Sequence, residues 1–220
     1  MGTLVLVRHG LSQWNLENRF TGWTDVPLSE RGMQDASTAA AVLADLTFDV
    51  AWTSRLKRAN DTLTTILAGI GQEDLRTEKD TALNERHYGD LQGLDKGETI
   101  KKHGEEQVKL WRRSYATRPP NGESMEDCER RVTPVFTQYI LPLLEKGKTV
   151  LVVAHGNSIK PIMRYVEGLG QEEAAALEVS LTTPYVYRFD GVKMASKETR
   201  TVKGIVLRVD QKTGEPVIQD

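Results

Sequence analysis

The most regular hydrophobic pattern lies at the start of the chain, where residues 4–7 are all apolar. Arg8 and His9 follow this run directly. A continuous apolar run bounded by polar residues is typical of a strand buried on both faces of a parallel sheet. A second run of this kind, over residues 150–154, ends at His155. Ligands of open α/β sheets bind at the carboxyl ends of the strands. The pattern therefore predicts that both histidines lie at one edge of one sheet.

Capping residues and apolar spacing predict the elements in between. Ser29 precedes apolar positions at helical spacing, which predicts an amphipathic helix over about residues 30–45. Ser54 is predicted to cap a second helix. The other predicted elements are a strand over 48–52, a strand near 80–83, a helix over 106–115, a long helix over 124–144 bent or shortened by Pro134 and Pro142, a helix over 157–167, and two strands over 184–190 and 192–196. Alternation of strands and helices indicates an α/β fold with a mostly parallel sheet.

Composition narrows the class of protein. The chain has 220 residues, of which 39% are hydrophobic and 27% charged, so it suffices for one large α/β domain or two small ones. Its formal net charge of −2 gives no support for a nucleic-acid or membrane partner. Cys128 is the only cysteine, which excludes an internal disulfide and zinc sites built on cysteine pairs. With no signal-peptide pattern at its start and no apolar run near ~20 residues, we expect a cytoplasmic protein.

Three segments are rich in polar residues and poor in core residues, and we predict them to be site loops or their neighbours. They are the long loop over 11–24, the loop over 83–89, and the helix that carries Arg112 and Arg113. Arg58 falls in the first turn of a predicted helix, where the helix dipole disfavours a cation by ~0.3–1 kcal/mol. An anion bound nearby would explain that position, although a solvated surface arginine is the simpler alternative.

Two histidines among many cations favour phosphoryl transfer. Arginine binds phosphate through paired hydrogen bonds and stays charged at any relevant pH. The cations that we place near the site are Arg8, Arg58, Arg86, Lys96, Arg112 and Arg113. One imidazole, kept neutral by this positive charge, would attack phosphorus, while the other groups stabilise the equatorial oxygens. Glu85 is the best-placed acid to protonate the leaving oxygen.

A metal site has less support. The sequence contains no HExxH, no calcium-loop pattern and no Walker-type glycine loop. His87 is predicted to brace its loop and His103 to be solvated. We therefore predict no metal.

Nine segments form a recognisable set of motifs: residues 6–10 (Leu-Val-Arg-His-Gly), 12–15, 18–23, 53–54, 57–59, 83–89, 105–108, 111–113 and 154–158. Together they resemble the cofactor-dependent phosphoglycerate mutases of the histidine phosphatase superfamily. The resemblance covers about residues 3–190. It implies a single α/β domain over residues 1–198, with a mixed, mostly parallel six-stranded sheet and helices on both faces. Residues 199–220 are left as a tail that forms either a small hairpin or a mobile lid.

The resemblance also implies an activity, which is the glycolytic and gluconeogenic interconversion of 3-phosphoglycerate and 2-phosphoglycerate, primed by 2,3-bisphosphoglycerate. It implies that His9 is the phosphohistidine nucleophile, Glu85 the proton donor and acceptor, and Arg8, Arg58 and His155 the groups that hold the phosphoryl group. The residues that it implies for the substrate pocket are Ser12, Asn15, Thr21, Gly22, Arg86, Tyr88, Lys96, Arg112, Arg113, Gly156 and Asn157. Homodimeric and homotetrameric assembly both stay open.

The sequence departs from that family pattern at several places. Leu11 stands where the family usually has Glu or Gln, and it cannot form a side-chain hydrogen bond. The segment over 118–123 is short, the loop over 181–184 lacks a glycine, and the tail after Arg200 shows little resemblance. These differences bear on substrate orientation, the lifetime of the phospho-enzyme and the behaviour of any lid.

The sequence leaves two alternatives to a mutase, a phosphomonoesterase and a non-catalytic module. A phosphomonoesterase would use the same phosphohistidine with water as the acceptor, and Leu11 together with the short loop is its only support. A non-catalytic module is disfavoured because all five catalytic positions are filled. Ser12 and the pair Thr21 and Gly22 favour a mutase over a bisphosphoglycerate synthase, since relatives that favour synthesis tend to have glycine in place of that serine.

Overall fold

A six-stranded sheet forms the centre of the molecule. The computed structural model describes residues 1–201 and the backbone of two further strands, Val206–Val209 and Pro216–Gln219. The strands of the main sheet are β1 (Gly2–Arg8), β2 (Val50–Thr53), β3 (Thr77–Lys79), β4 (Thr149–Ala154), β5 (Pro184–Asp190) and β6 (Lys193–Thr199). Their order across the sheet is β3-β2-β4-β1-β5-β6. The first four strands in that order are parallel, whereas β5 runs antiparallel to β1 and β6 antiparallel to β5.

The helices are α1 (Gln13–Leu16), α2 (Glu30–Ala41), α3 (Lys57–Gly69), α4 (Lys96–His103), α5 (Glu105–Arg113), α6 (Met125–Val135), α7 (Leu141–Glu145), α8 (Gly156–Glu167) and α9 (Gln171–Ala176). Helices pack on both faces of the sheet, as expected. In the part of the chain that the structure describes, no helix is both long and apolar enough to cross a membrane.

The alternation of side chains along β1 explains the two layers. Leu4 and Leu6 belong to one core cluster, with residues of α6, α7 and α8. Val5 and Val7 belong to the other, with residues of α2 and α3. All four side chains are fully buried. Successive side chains of a strand point to opposite faces, so an uninterrupted apolar run is needed where both faces are covered. The prediction of a doubly covered strand is confirmed.

The long helix predicted over 124–144 is present but divided. Ser124 caps α6, accepting a hydrogen bond from the N–H of Asp127 while Asp127 accepts from the N–H of Ser124. After Pro134 the helical path widens into a π-helical segment, Phe136–Ile140, and then continues as α7. Proline removes a backbone donor and clashes with the preceding turn, so a local change of helix type is the expected response.

Several predicted boundaries were wrong for local reasons. The strand near 80–83 ends earlier, as β3, because the Asp80 side chain accepts a hydrogen bond from the N–H of Ala82 and starts a 3₁₀ turn. Helix α4 was not predicted, although Asp95 caps it by accepting from the N–H of Glu98. The long loop over 11–24 contains α1, capped by Ser12. Helix α2 ends at Ala41 rather than near residue 45, and β2 begins at Val50 rather than at 48.

The tail contributes a separate two-stranded pair. Val206–Val209 and Pro216–Gln219 pair antiparallel, with Val206 opposite Gln219, as in the hairpin alternative. Residues 202–205, 210–215 and 220 lie outside the described residues. Strand β6 continues to Thr199, one residue past the predicted domain boundary at 198, and that boundary stays a prediction.

Candidate active site

The two histidine-bearing strands are direct neighbours. β1 and β4 pair in parallel register, with Arg8 opposite Ala154, and the backbone N–H of His9 donates to the carbonyl of Ala154 at 2.9 Å. The imidazole rings of His9 and His155 therefore come together, with their centroids 4.9 Å apart. The prediction of two histidines at one sheet edge is confirmed.

The hydrogen bond of the His9 ring defines which nitrogen is reactive. Nδ1 of His9 lies 2.7 Å from the carbonyl oxygen of Gly10. A carbonyl oxygen only accepts, so Nδ1 carries the proton and Nε2 carries the free lone pair. Burial lowers the pKa of His9 well below its ordinary value, and the positive charges of Arg58 and Arg8 lower it further. A neutral imidazole with an available Nε2 is a competent nucleophile.

His155 is held by a residue that the sequence analysis assigned to another role. Ser54 does not cap a helix, because α3 begins at Lys57 with Leu56 in the capping position. The Ser54 hydroxyl instead lies 2.8 Å from Nε2 of His155 and accepts from the N–H of Leu56 at 3.2 Å. Burial lowers the pKa of His155 well below its ordinary value, with additional contributions from Arg58 and His9. The lowered pKa values favour the neutral form of both imidazoles.

Arg8 and Arg58 lie near the two histidines, and backbone carbonyl groups hold their guanidinium groups in place. Arg8 donates through Nη1 to the carbonyl of Val179 at 2.9 Å. Arg58 donates to the carbonyls of Gly22 and Thr24, at 2.7 and 3.1 Å. The Nε atoms of both arginines are buried and have no hydrogen-bond partner among the described residues. Burial lowers the pKa of Arg58 to about 10 and also lowers that of Arg8, so a bound anion would stabilise both cations.

Glu85 completes the group at the sheet edge. Its side chain is 7% exposed, and its Oε1 accepts from the N–H of Arg86 at 2.8 Å and from the N–H of Asn157 at 3.2 Å. The second contact joins the loop over 83–89 to the first turn of α8. The carboxylate is thereby fixed close to both histidines.

One donor atom each of His9, Glu85 and His155 lies within 4.8 Å of the others, a set of residue types that can bind a divalent cation. Arg8 and Arg58 lie close enough to both rings to depress their pKa values. Their positive charge opposes a cation and favours an anion at this point. The donor arrangement suits a phosphoryl group better than a metal ion.

A cavity of about 200 Å³ opens from this edge. Arg8, His9, Arg58 and Glu85 lie in its wall. The substrate-contacting residues predicted from the long loop that line it are Asn15, Thr21 and Gly22. From α4 and α5 come Lys96, Arg112 and Arg113, and the remaining predicted lining residues are Tyr88, Gly156 and Asn157.

Three predicted site residues are not among those that line this cavity. Ser12 is fully buried and its hydroxyl donates to Oδ1 of Asn15 at 2.8 Å, so it acts through Asn15. Arg86 is 1% exposed, donates to the carbonyl of Arg112 at 3.0 Å, and lies with its guanidinium carbon 4.7 Å from the Tyr88 ring centroid. Local hydrogen bonds turn the side chains of Ser12 and Arg86 into the protein, and a contact of either with substrate stays a prediction. His155 is the third; it is fully buried against Ser54, and its ring lies beside that of His9.

A second group of cations also lines the cavity. Burial lowers the pKa of Lys96 to about 8, and the neighbouring Arg112 and Arg8 lower it further. Burial also lowers the pKa of Arg112. Tyr88 accepts from the side-chain amide of Asn157 at 3.3 Å, which links the loop over 83–89 to α8. The cavity can therefore hold a molecule with more than one anionic group.

Lys160 is a lining residue that the sequence analysis missed. It lies on α8, is 7% exposed, and donates through Nζ to the carbonyl of Ala175 at 2.9 Å. Burial lowers its pKa to about 7, with further lowering by Arg113 and Arg86. A lysine between the buried Ile159 and Ile162 was a detectable signal, since lysine is almost never buried without a function or a partner. Arg19 and residues 177–181 also line the cavity.

Comparison with known families agrees with this geometry. Residues 4–200 match the model of the histidine phosphatase superfamily (branch 1). The chain belongs to that superfamily. The resemblance that the sequence motifs indicated is thus confirmed.

Similar curated proteins share half of their sequence with this chain. A 2,3-bisphosphoglycerate-dependent phosphoglycerate mutase of Rhizobium johnstonii is 51% identical over 200 residues, covering 90% of this chain and 95% of that protein. The 2,3-bisphosphoglycerate-dependent phosphoglycerate mutase 2 of Gloeobacter violaceus is 50% identical over 187 residues, covering 85% of each.

Solved structures with the same fold are more distant in sequence. Bacillus stearothermophilus YhfR superposes with a TM-score of 0.76 at 28% identity, covering 87% of this chain and 93% of that one. A mycobacterial glucosyl-3-phosphoglycerate phosphatase complexed with VO3 gives a TM-score of 0.76 at 29% identity, covering 85% and 92%. The predicted fold class, a mixed six-stranded α/β sheet covered on both faces, is confirmed.

Proposed function

We propose that this protein is a 2,3-bisphosphoglycerate-dependent phosphoglycerate mutase that interconverts 3-phosphoglycerate and 2-phosphoglycerate through a phosphohistidine on His9. The observation that carries the proposal is the hydrogen bond that the Nδ1–H of His9 donates to the carbonyl of Gly10, which leaves Nε2 free as a nucleophile near the positive charges of Arg8 and Arg58. Identity of about half the residues to curated mutases over 90% of the chain supports the choice of substrate.

In the first step Nε2 of His9 attacks phosphorus, the N–P bond forms, and the bond from phosphorus to the ester oxygen breaks. Arg8 and Arg58 offset the negative charge on the equatorial oxygens through donors that are already oriented, so little reorganisation is needed. In the protonated form, Glu85 gives its proton to the leaving ester oxygen. In the reverse direction the carboxylate of Glu85 takes the proton from the attacking hydroxyl.

The second group of cations selects the rest of the substrate. Lys96, Arg112 and Arg113 line the cavity, where they would bind the carboxylate or second phosphate of a phosphoglycerate. An acceptor held there keeps a hydroxyl, rather than water, in line with the phosphohistidine. Such positioning distinguishes a mutase from a phosphatase.

The primer named for the relatives also fits these residues. A bisphosphorylated glycerate has anionic groups at both ends, and the cavity has buried, unpartnered donors at Arg8 and Arg58 and cations at Lys96 and Arg112. When bound, 2,3-bisphosphoglycerate supplies the phosphoryl group that converts His9 into the active phospho-enzyme. This reaction makes use of no metal ion, and the glycolytic substrates support a cytoplasmic location.

A phosphomonoesterase is the second candidate. Leu11 lines the cavity, is 4% exposed, and offers a side-chain hydrogen bond to neither an acceptor hydroxyl nor a water molecule, so it favours neither acceptor. The mycobacterial structure similar to this one is that of a phosphatase. The further cations that line the cavity, Lys96, Arg112 and Arg113, favour the mutase because they would hold a phosphoglycerate acceptor.

The test is conversion of 3-phosphoglycerate to 2-phosphoglycerate in the presence of a chelator, with and without catalytic 2,3-bisphosphoglycerate. Primer-dependent conversion that the chelator leaves unchanged is the expected result. Release of inorganic phosphate with little isomerisation would replace the mutase with the phosphatase. Loss of activity on chelation would contradict the metal-free mechanism.

A further inference from the structure

Ser54 makes a contact that the proposed reaction does not yet use. It follows β2 directly, is fully buried, and lies at the sheet edge beside the end of β4. Its hydroxyl oxygen is 2.8 Å from Nε2 of His155 and 3.2 Å from the backbone nitrogen of Leu56. Ser54 and His155 are 101 positions apart in the chain, so sheet pairing alone brings them together.

The protons of this contact can be assigned by counting donors and acceptors. The N–H of Leu56 donates to the hydroxyl oxygen, which leaves the hydroxyl proton in need of an acceptor. Nε2 of His155 is the one acceptor within hydrogen-bond distance of that hydroxyl among the described residues. If Nε2 carried a proton, the buried hydroxyl would receive two donors and its own proton would have no partner, which is costly. The hydroxyl therefore donates to Nε2.

This assignment places the remaining proton of the neutral His155 ring on Nδ1. Nδ1 is buried and has no hydrogen-bond partner in the part of the chain that the structure describes. The His155 ring is adjacent to that of His9, with centroids 4.9 Å apart. A buried N–H without a partner costs free energy, and it is found where a ligand completes the bond.

We propose that Ser54 is a positioning residue for phosphoryl transfer: its hydroxyl fixes His155 in the Nδ1–H tautomer, so that this N–H donates to an oxygen of the phosphoryl group on its way to or from His9. The proposal rests on the proposed function of the site. Under this proposal, the groups around phosphorus have different roles. Arg8 and Arg58 supply positive charge, and His155 supplies a neutral donor whose direction is set by the Ser54 contact.

The opposite tautomer would be unfavourable for the reaction. A ring protonated at Nε2 would present the lone pair of Nδ1 to the phosphoryl oxygens, and two acceptors repel each other in a low-dielectric site. In water, neither tautomer of neutral histidine is strongly preferred. Here the buried Ser54 hydroxyl selects one of them. Burial and the positive charge of Arg58 lower the pKa of His155, which disfavours a second proton on the ring. The ring therefore stays in a form whose tautomer the Ser54 hydroxyl can set.

Direct observation of the tautomer is the first arm of the experiment. In the free protein labelled with ¹⁵N-histidine, two-bond ¹H–¹⁵N spectra distinguish Nδ1–H from Nε2–H rings. We expect the Nδ1–H form for His155 in the wild type and in Ser54→Thr, which keeps the hydroxyl. We expect loss of that preference in Ser54→Ala. Thr53→Val is the matched control, because Thr53 is the equally buried neighbour whose hydroxyl donates to the carbonyl of Val153 rather than to His155.

The second arm is single-turnover phosphorylation of His9 by 2,3-bisphosphoglycerate. Deleting a donor that touches a transition-state oxyanion costs ~100- to 1,000-fold in rate. Because Ser54 acts through His155, we expect a smaller loss for Ser54→Ala, about 10- to 100-fold. Ser54→Thr should recover most of the rate, and Thr53→Val should keep it.

The two arms separate the possible failures. An Nε2–H ring in the wild type would overturn the proposal without any variant, which covers a Ser54→Ala protein that does not fold. An unchanged tautomer and rate in folded Ser54→Ala would also overturn it, leaving Ser54 as a structural partner only. A wild type that 2,3-bisphosphoglycerate does not phosphorylate would contradict the proposed function, and the spectra would then decide the Ser54 contact on their own.

Discussion

The backbone N–H of Asn157 donates to the carboxylate of Glu85 at 3.2 Å, and this contact joins two segments that lie 72 residues apart in the sequence. It places the carboxylate at the amino end of α8, where the helix dipole stabilises a negative charge. The N–H of Arg86 donates to the same oxygen at 2.8 Å. The acid is therefore oriented by backbone groups that survive most side-chain substitutions.

Glu85→Gln is expected to fold and to lose most turnover. The amide oxygen of Gln can accept the same two backbone hydrogen bonds, so thermal stability should change little. General acid–base groups contribute ~100- to 10,000-fold to rate, and kcat should fall within that range. Steady-state kinetics and thermal unfolding measure both effects, with the exposed Glu98→Gln as control. Full turnover in Glu85→Gln would mean that another group moves the proton.

His9→Ala should abolish the phospho-enzyme and the isomerase activity together, because no other nitrogen occupies the position of Nε2. Intact-mass measurement after incubation with 2,3-bisphosphoglycerate detects the added phosphoryl group. His103→Ala, at an exposed position on α4, is the control and should be phosphorylated like the wild type. A phosphorylated His9→Ala protein would assign the nucleophile to a different residue.

Because Lys160 is buried, the stability of the protein should rise with pH above neutrality. Its pKa is lowered to about 7 in the folded protein from an ordinary value of 10.5, chiefly by burial. The unfolded state therefore binds more protons between those values, and the free energy of unfolding rises with pH there. The penalty of burying the charge is fully present below pH 7 and fades as the pH rises above it.

Substitution of Lys160 by methionine should remove that penalty. We expect Lys160→Met to gain stability relative to the wild type at pH 6, and the gain to shrink by pH 9. Comparing the two proteins at each pH cancels the contribution of other groups. Denaturant unfolding at the two pH values makes the comparison, and a difference independent of pH would contradict the lowered pKa.

Leu11 predicts a long-lived phosphohistidine. Its side chain lines the cavity and is almost fully buried, while its carbonyl accepts from Ser29. An apolar wall gives a water molecule no partner beside the phosphorus, so hydrolysis should be slow. Leu11→Gln introduces such a partner and should raise phosphatase activity relative to isomerisation, whereas the apolar Leu11→Met should not. Equal ratios in the two variants would show that this wall does not control water.

Much of the site was predictable because its residues terminate recognisable elements. The apolar runs ending at His9 and His155 could only be buried parallel strands, and parallel strands present their carboxyl ends at one edge. Arg58 was predictable from its place in the first turn of α3, which is confirmed. The loop around Glu85 was identified because its polar residues could not form a core.

The contacts of other residues could not be predicted because their partners are distant in the sequence. The local sequence around Ser54 is typical of a helix cap and gives no indication of a contact with His155. The pairing of β2 with β4 brings the Ser54 hydroxyl to the His155 ring. Arg86 looks like a ligand-binding cation, but its guanidinium donates to the carbonyl of Arg112 and does not line the cavity.

The sequence by itself determined the strands, most helices and the residue types at the sheet edge, because hydrophobic periodicity and capping act between residues a few positions apart. The tertiary structure decided which nitrogen of His9 is free, which side chains enter the cavity, and that Lys160 is buried in its wall. Those outcomes depend on strand order and on hydrogen bonds between distant segments. Their free energies arise only when desolvation and long-range contacts act together in the folded chain.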